Sequence, residues 1–253
     1  MCVKIKHFVV FVTIVCFFSC QQKLKTSKIT GEKININDSV SEVAAVDTYV
    51  APYRLHINKI LDSTLAYNPK AITKTDSPLN TAIGNLMADI VYDAANPIFK
   101  KRTGKTIDLV LLNHGGIRAP MPKGAINART AYQVMPFENT IVVAELSGEK
   151  VYELIDYLVK RKRAHPISKL KLILNPDYTL NNATIKGVPI VKNRTYHVAT
   201  SNYLLTGGDN MDFFLNPIRV TETDYLIRNA MIDYFEKVDT IIAKHDDRFS
   251  IKQ

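Results

Sequence analysis

The apolar positions change period along the chain, and each change predicts an element. Within "SPLNTAIGNLMADIVYDAAN", Ile83, Met87, Ile90, Val91 and Ala94 recur at helical spacing, and Ser77 followed by Pro78 predicts the cap and first turn. "IDLVLLN", residues 107–113, is a short unbroken apolar run, the pattern of a strand buried on both faces. A short helix near Arg129–Val134, the strand "TIVVAEL" and the helix in "SGEKVYELIDYLVKRK" follow. In that last helix Val151, Leu154, Ile155 and Leu158 share one face, and Ser147 is the expected cap. "KLKLIL" and "NATIKGVPI" read as strands joined by a turn at Asn175–Asp177, and "TYHVATS" as another strand. A helix from Val50 to Asp62, an extended piece from Ala66 to Thr73, a helix from Thr223 to about Asp239 and a short strand at "RFSIK" complete the expectation. Helix-linked and hairpin connections both occur, so the expected fold class is α/β (α+β), a mixed β-sheet with helices packed on it.

The N-terminal end adds a different signal. Lys4 and Lys6 precede an apolar run from Phe8 to Phe18, too short to span a bilayer, and Ser19 and Cys20 follow. This resembles a bacterial lipoprotein signal whose lipidated residue would be Cys20, with Phe17 where the pattern prefers Leu. An ordinary signal peptide is the alternative. The expected organisation is therefore a signal at 1–19, a polar tether at 20–46 carrying the lipid, and a domain at 47–253, exported and held at the membrane through the N-terminal lipid. All three cysteines, Cys2, Cys16 and Cys20, lie in the first segment, which excludes a disulfide, a thiolate metal site or a cysteine nucleophile from the body. The formal charge of +9 falls to +7 without Lys4 and Lys6. The densest basic clusters, "KKRTGK" and "KRKR", sit at predicted helix ends, where cations complement the dipole, and no nucleic-acid reading motif accompanies them.

Three loops hold the candidate chemistry. "NHGGIR" follows the buried strand, and there Gly115 and Gly116 allow positive φ or close approach to a ligand while Arg118 offers a planar fork for phosphate or carboxylate. "MPFENT" carries Phe137. "SNYLLTGGDNMDFF" carries Tyr203 just ahead of Gly207, Gly208 and Asp209. Together these side chains suit a single purpose, with two rings to sandwich a flat base, an arginine for phosphate, and an acid for sugar hydroxyls.

In this order, Gly-Asn-Leu on a helix, Asn-x-Gly-Gly-x-Arg, Pro-Phe-x-Asn-Thr and aromatic-x-x-x-Gly-Gly-Asp resemble the C-terminal, substrate-binding domain of the periplasmic and cell-surface 5'-nucleotidases, over most of residues 77–215. The resemblance implies that Phe137 and Tyr203 stack on the base, Asp209 takes the ribose, Arg118 lies on the phosphate side and Asn113 lies near the nucleoside. It also expects an arginine about where Leu79 stands, a departure that bears on phosphate binding. The family's hydrolysis belongs to a two-metal metallophosphoesterase domain, whose Asp-x-His, Asn-His-acid and Gly-His-x-His signatures are absent from this sequence. Residues 21–45 are too few for such a domain. No catalytic residue or metal ligand is therefore expected in this chain. The expected role is the nucleotide-recognition half of a phosphohydrolase, with divalent metal ions on a separate metallophosphoesterase partner. The alternative is a non-catalytic lipoprotein that binds nucleosides or nucleotides.

Overall fold

The computed structural model describes residues 2–17, 25–37 and 39–252, so Cys20 lies outside the described residues. The chain divides after Tyr49 into two units, Met1–Tyr49 and Val50–Gln253. The first contains helix α1, Cys2–Phe17; among the described residues no helix is long and apolar enough to cross a membrane. Helix α2, Ala44–Asp62, starts six residues ahead of the expected Val50 and buries no side chain.

The second unit follows the order β1 (Thr64–Asn68), α3 (Ala82–Thr103), β2 (Leu109–Leu111), β3 (Gly124–Asn127), α4 (Ala128–Val134), β4 (Thr140–Ser147) and α5 (Gly148–Arg161). It continues with β5 (Ile167–Ser168), β6 (Leu170–Leu174), β7 (Leu180–Ile185), β8 (Val188–Pro189), β9 (Thr195–Ser201), α6 (Asn202–Leu205), β10 (Arg219–Leu226), α7 (Ile227–Lys237) and β11 (Phe249–Ile251). The central sheet has the order β10-β4-β9-β2-β5; β6, β7, β8 and β11 form a second sheet, and β1 pairs with β3.

Alternation explains why the central strands carry apolar residues on both faces. Along β4, Ile141 and Val143 join one core cluster while Ala144 and Leu146 join the other; Val110 and Ala199 oppose Leu109, Leu111 and Val198 in the same way. The first cluster is filled by α3, α4 and α7, the second by the α5 face of Val151, Leu154, Ile155 and Leu158 together with β6. Two buried faces leave no polar side to these strands, as the sequence run implied.

Strand direction decides where the loops go. β2 and β9 are parallel, whereas β4 is antiparallel to β9. The segments after β2, after β9 and before β4 therefore leave the sheet at one end.

Three expectations need correction. The N-cap of α3 is Thr81, whose hydroxyl accepts the Gly84 N–H at 3.2 Å, and not Ser77; the helix runs through Pro97 to Gly104 in the left-handed region. Residues 219–226 are a strand, not the start of a helix: β10 pairs with β4, and α7 begins at Ile227. β10 is an edge strand with most of its residues exposed and a register shift between Glu222 and Leu226, where Asp224 has φ 57, so the sequence there shows no apolar alternation. The short strands β3 and β5 were not anticipated; each owes its pairing to a distant partner, β1 and β2 respectively.

Gly148 is fixed by approach, not by dihedral angle. A Cβ on Gly148 would sit 2.2 Å from the Val191 carbonyl oxygen and 2.6 Å from that of Lys192, both rigid backbone. Gly148→Ala is expected to destabilise the domain by about 1–3 kcal/mol or more, a fall of several degrees in Tm measured by calorimetry.

Candidate functional site

The three loops close around a hollow of about 330 Å³ lined by Asn113, Gly115, Gly116, Arg118, Phe137, Asn139, Tyr203 and Asp209. Each is delivered by a strand end. Asn113 to Gly116 follow β2 in a 3₁₀ turn closed by the Gly116 N–H on the Asn113 carbonyl at 3.0 Å. Tyr203 sits in α6, capped by Ser201, whose hydroxyl accepts the Leu204 N–H at 3.2 Å. Phe137 lies just ahead of β4.

Phe137 and Tyr203 are 41% and 44% exposed, so neither ring is tucked into the core. The Arg118 guanidinium lies 5.8 Å from the centre of the Phe137 ring. Asp209 ties the loops together: its Oδ2 accepts the Asn113 side-chain amide at 2.8 Å, and its Oδ1 takes the Tyr203 hydroxyl at a long 3.4 Å. A charge-assisted bond of the first kind contributes about 1.5–3 kcal/mol. The carboxylate keeps lone pairs for further donors such as vicinal hydroxyls.

Gly207 and Gly208 do not line the hollow but shape it. Gly207 has φ 84, and Asp209 follows at φ 57, so the turn aims the carboxylate back across the loop. A Cβ on Gly208 would fall 2.5 Å from two Tyr203 ring carbons, so the bare backbone is what lets that ring lie flat. Neither Gly115 nor Gly116 has positive φ. A Cβ at Gly116 would lie 2.9 Å from the Asn113 Oδ1, so it would press on the side chain that bonds Asp209.

Several supporting residues escaped the sequence reading. Arg228 of α7, 3% exposed, donates to the Pro136 and Phe137 carbonyls, each at 3.3 Å, and pairs with Glu138, which holds the loop under the Phe137 ring. Its guanidinium also rests 4.1 Å from the Tyr132 ring centre. Tyr157 of α5 donates its hydroxyl to the Asp209 carbonyl at 2.9 Å, and burial raises its pKa. Asn139 lines the hollow beside Phe137; its place in "MPFENT" was the only available signal.

Leu79 is buried among the residues packed on α5, so it does not offer a side chain to the hollow. The cation near Arg118 is instead Lys74, whose ammonium donates to the Ile117 carbonyl at 2.7 Å. Burial, then the neighbouring charges of Arg118 and Arg163, lower the Lys74 pKa.

Among the described residues no group of three or more His, Cys, Asp or Glu could hold a metal ion, and the hollow is lined by one carboxylate, Asp209, and one cation, Arg118. A larger hollow of about 460 Å³ lies beside β6, but its principal charges are mutually paired, Arg248 to Asp89 at 2.8 Å and to Asp246 at 2.7 Å, and Lys171 to Asp247. It presents no exposed aromatic pair.

Gly208→Ala is expected to push Tyr203 out of its position and widen the hollow at a cost of about 1–3 kcal/mol, read as a change in the environment of the Tyr203 ring resonances by NMR with the rest of the spectrum preserved.

Comparison with known proteins places this geometry. Residues 63–216 match the family described as the 5'-nucleotidase, C-terminal domain. Protein UshA of Escherichia coli (strain K12) is 30% identical over 139 residues, 54% of this chain and 25% of UshA. The trifunctional nucleotide phosphoesterase protein YfkN of Bacillus subtilis (strain 168) is 28% identical over 237 residues, 87% of this chain and 16% of YfkN. The chain thus spans a quarter or less of these relatives. In fold it is similar to a 5'-nucleotidase precursor from Thermus thermophilus, with a TM-score of 0.67 at 21% identity over 82% of this chain and 42% of that one. It is also similar to the NAD nucleotidase of Haemophilus influenzae, with a TM-score of 0.63 at 16% identity over 83% and 42%. Matched over more than half its length, through the same loops that enclose the hollow, this chain belongs to the 5'-nucleotidase C-terminal domain family.

Proposed function

We propose that this chain is the nucleotide-recognition half of a 5'-nucleotidase-type phosphohydrolase, which converts a nucleotide to a nucleoside and phosphate. The observation that carries the reading is the meeting of Phe137, Tyr203, Arg118 and Asp209 around one hollow. Its volume lies at the lower end of the range for small-molecule sites, about 300–1,000 Å³. A base would stack between the two half-exposed rings. The ribose diol would donate to Asp209 beside Asn113, and the phosphate would extend towards Arg118 and Lys74.

The chain's own part is to bind and orient. Phosphate monoester hydrolysis would be carried out by a separate metallophosphoesterase chain that brings its own divalent metal ions. Lys4, Lys6 and the apolar run support export, and Ser19-Cys20 supports anchoring to the membrane by a lipid on Cys20.

Calorimetry with adenosine, adenosine 5'-monophosphate and inorganic phosphate tests the reading. The monophosphate should bind at least about tenfold more tightly than adenosine, because the phosphate adds a charge-assisted contact of about 1.5–3 kcal/mol. Arg118→Ala or Lys74→Ala should erase that preference and leave adenosine binding intact; Tyr203→Ala should weaken both ligands. Equal affinity for adenosine and its monophosphate would assign the chain to nucleoside capture without catalysis. Adding a purified metallophosphoesterase should raise nucleotide turnover above that of either chain alone, and an unchanged rate would remove the partner from the reading.

A further inference from the structure

Behind the Asn113–Gly116 loop lie two imidazoles to which the binding reading gives no role. His114 and His165 are 8% and 5% exposed. Three hydrogen bonds join the loop to the segment before β5: the Leu112 N–H to the Pro166 carbonyl at 2.8 Å, the His114 N–H to His165 Nδ1 at 3.2 Å, and His114 Nδ1 to the Ala164 carbonyl at 3.1 Å. A carbonyl only accepts, so His114 carries its proton on Nδ1. His165 Nδ1 accepts, so its neutral ring carries the proton on Nε2.

These contacts close on themselves. His165 packs edge-on against Tyr157, with ring centres 5.5 Å apart at 62°. The Tyr157 hydroxyl donates to the Asp209 carbonyl, the Asp209 carboxylate takes the Asn113 amide, and His114, the next residue, returns to His165. One acceptor nitrogen is thus a link in the ring of contacts that brings Asn113 to Asp209. A phenylalanine would fill the same space but could not accept the His114 N–H.

We infer that His165 is a positioning residue for the hollow: its neutral Nδ1 holds the Asn113–Gly116 loop against Asp209, and a proton added there releases the loop and with it the ligand. Only the identity of that ligand rests on the nucleotide reading.

The groups facing this imidazole are His114, Tyr157, Asp209 and Arg163, with Arg161 over the Tyr157 ring and Lys74 acting on His114. Burial, then His114, lowers the His165 pKa to about 4, with a smaller push from Arg163; Asp209 and the Leu112 carbonyl pull the other way. Burial also lowers the His114 pKa, so both rings of the clasp are neutral at pH 7. An unfolded histidine takes up its proton near 6.5, so folding loses stability as pH falls from about 6.5 to about 4, and the unfolding constant rises by about two orders of magnitude. Below about 4 the folded ring is protonated as well, Nδ1 becomes a donor facing another donor, and the loop is released.

The test uses the full chain with adenosine 5'-monophosphate as probe between pH 7 and pH 4, alongside nitrogen NMR of the His165 ring in ligand-free protein. In His165→Asn the side-chain oxygen takes the acceptor place and does not titrate; His165→Phe removes the acceptor. Expected are an Nε2-protonated ring that titrates well below 6.5, affinity for His165→Asn within about threefold of wild type at pH 7 and flatter towards pH 4, and a loss of tenfold or more for His165→Phe with faster exchange of the His114 amide. A proton on Nδ1, a titration near 6.5, or a His165→Phe chain that binds and exchanges like wild type would overturn the inference. If wild type binds no monophosphate at pH 7 while His165 and the His114 amide behave as stated, the nucleotide reading fails and the clasp stands; an unperturbed His114 amide in His165→Phe sinks the clasp whatever the ligand result.

Discussion

The burial of β4, β9 and β2 on both faces is the constraint on which everything else in this domain rests. Packed between α3 with α7 on one side and α5 with β6 on the other, these strands have no wet face. A slip of one residue would exchange two sets of side chains of different size, so the register is tightly held. Because β2 runs parallel to β9 and β4 runs against it, that register also decides which loops share an end of the sheet. The hollow is a product of this topology: Tyr203 leaves the middle strand, with Phe137 and Asn113 supplied by its neighbours.

At that end a polar layer is built on the apolar one. Asp209 reaches Asn113 and Tyr203 through its carboxylate and Tyr157 through its backbone, so three elements converge on one residue held in a left-handed conformation. Backbone geometry that an ordinary residue adopts with difficulty is retained here because several partners over-determine it. The result is a rigid frame with its candidate recognition groups concentrated where strand ends meet.

Much of this was legible from residue order. The unbroken apolar run identified β2, the segment TIVVAEL was read as the strand that is β4, and the α5 face with its Ser147 cap followed from spacing alone. The loop residues Phe137, Tyr203, Arg118 and Asp209 were identified by type and order, before anything showed that they meet. What stayed hidden depended on distant partners. Thr81, not Ser77, caps α3, because its hydroxyl is the one that accepts the Gly84 N–H where the helix begins. β10 exists because β4 offers an edge. Leu79 read as a missing cation, yet it is a core residue, and Lys74 came into view only through the fold that brings it to Ile117. Arg228 and His165 gave no sign at all, since burial of a polar side chain cannot be read from a linear pattern.

The two aromatic walls of the hollow are mounted differently. Beneath Phe137 a buried guanidinium grips two carbonyls and an acid, anchoring that wall to α7. The Tyr203 ring rests against a bare glycine, and its hydroxyl makes a long contact with Asp209. Compliance is therefore one-sided. A guest too thick for the hollow would move the tyrosine before the phenylalanine, whose loop the buried guanidinium holds.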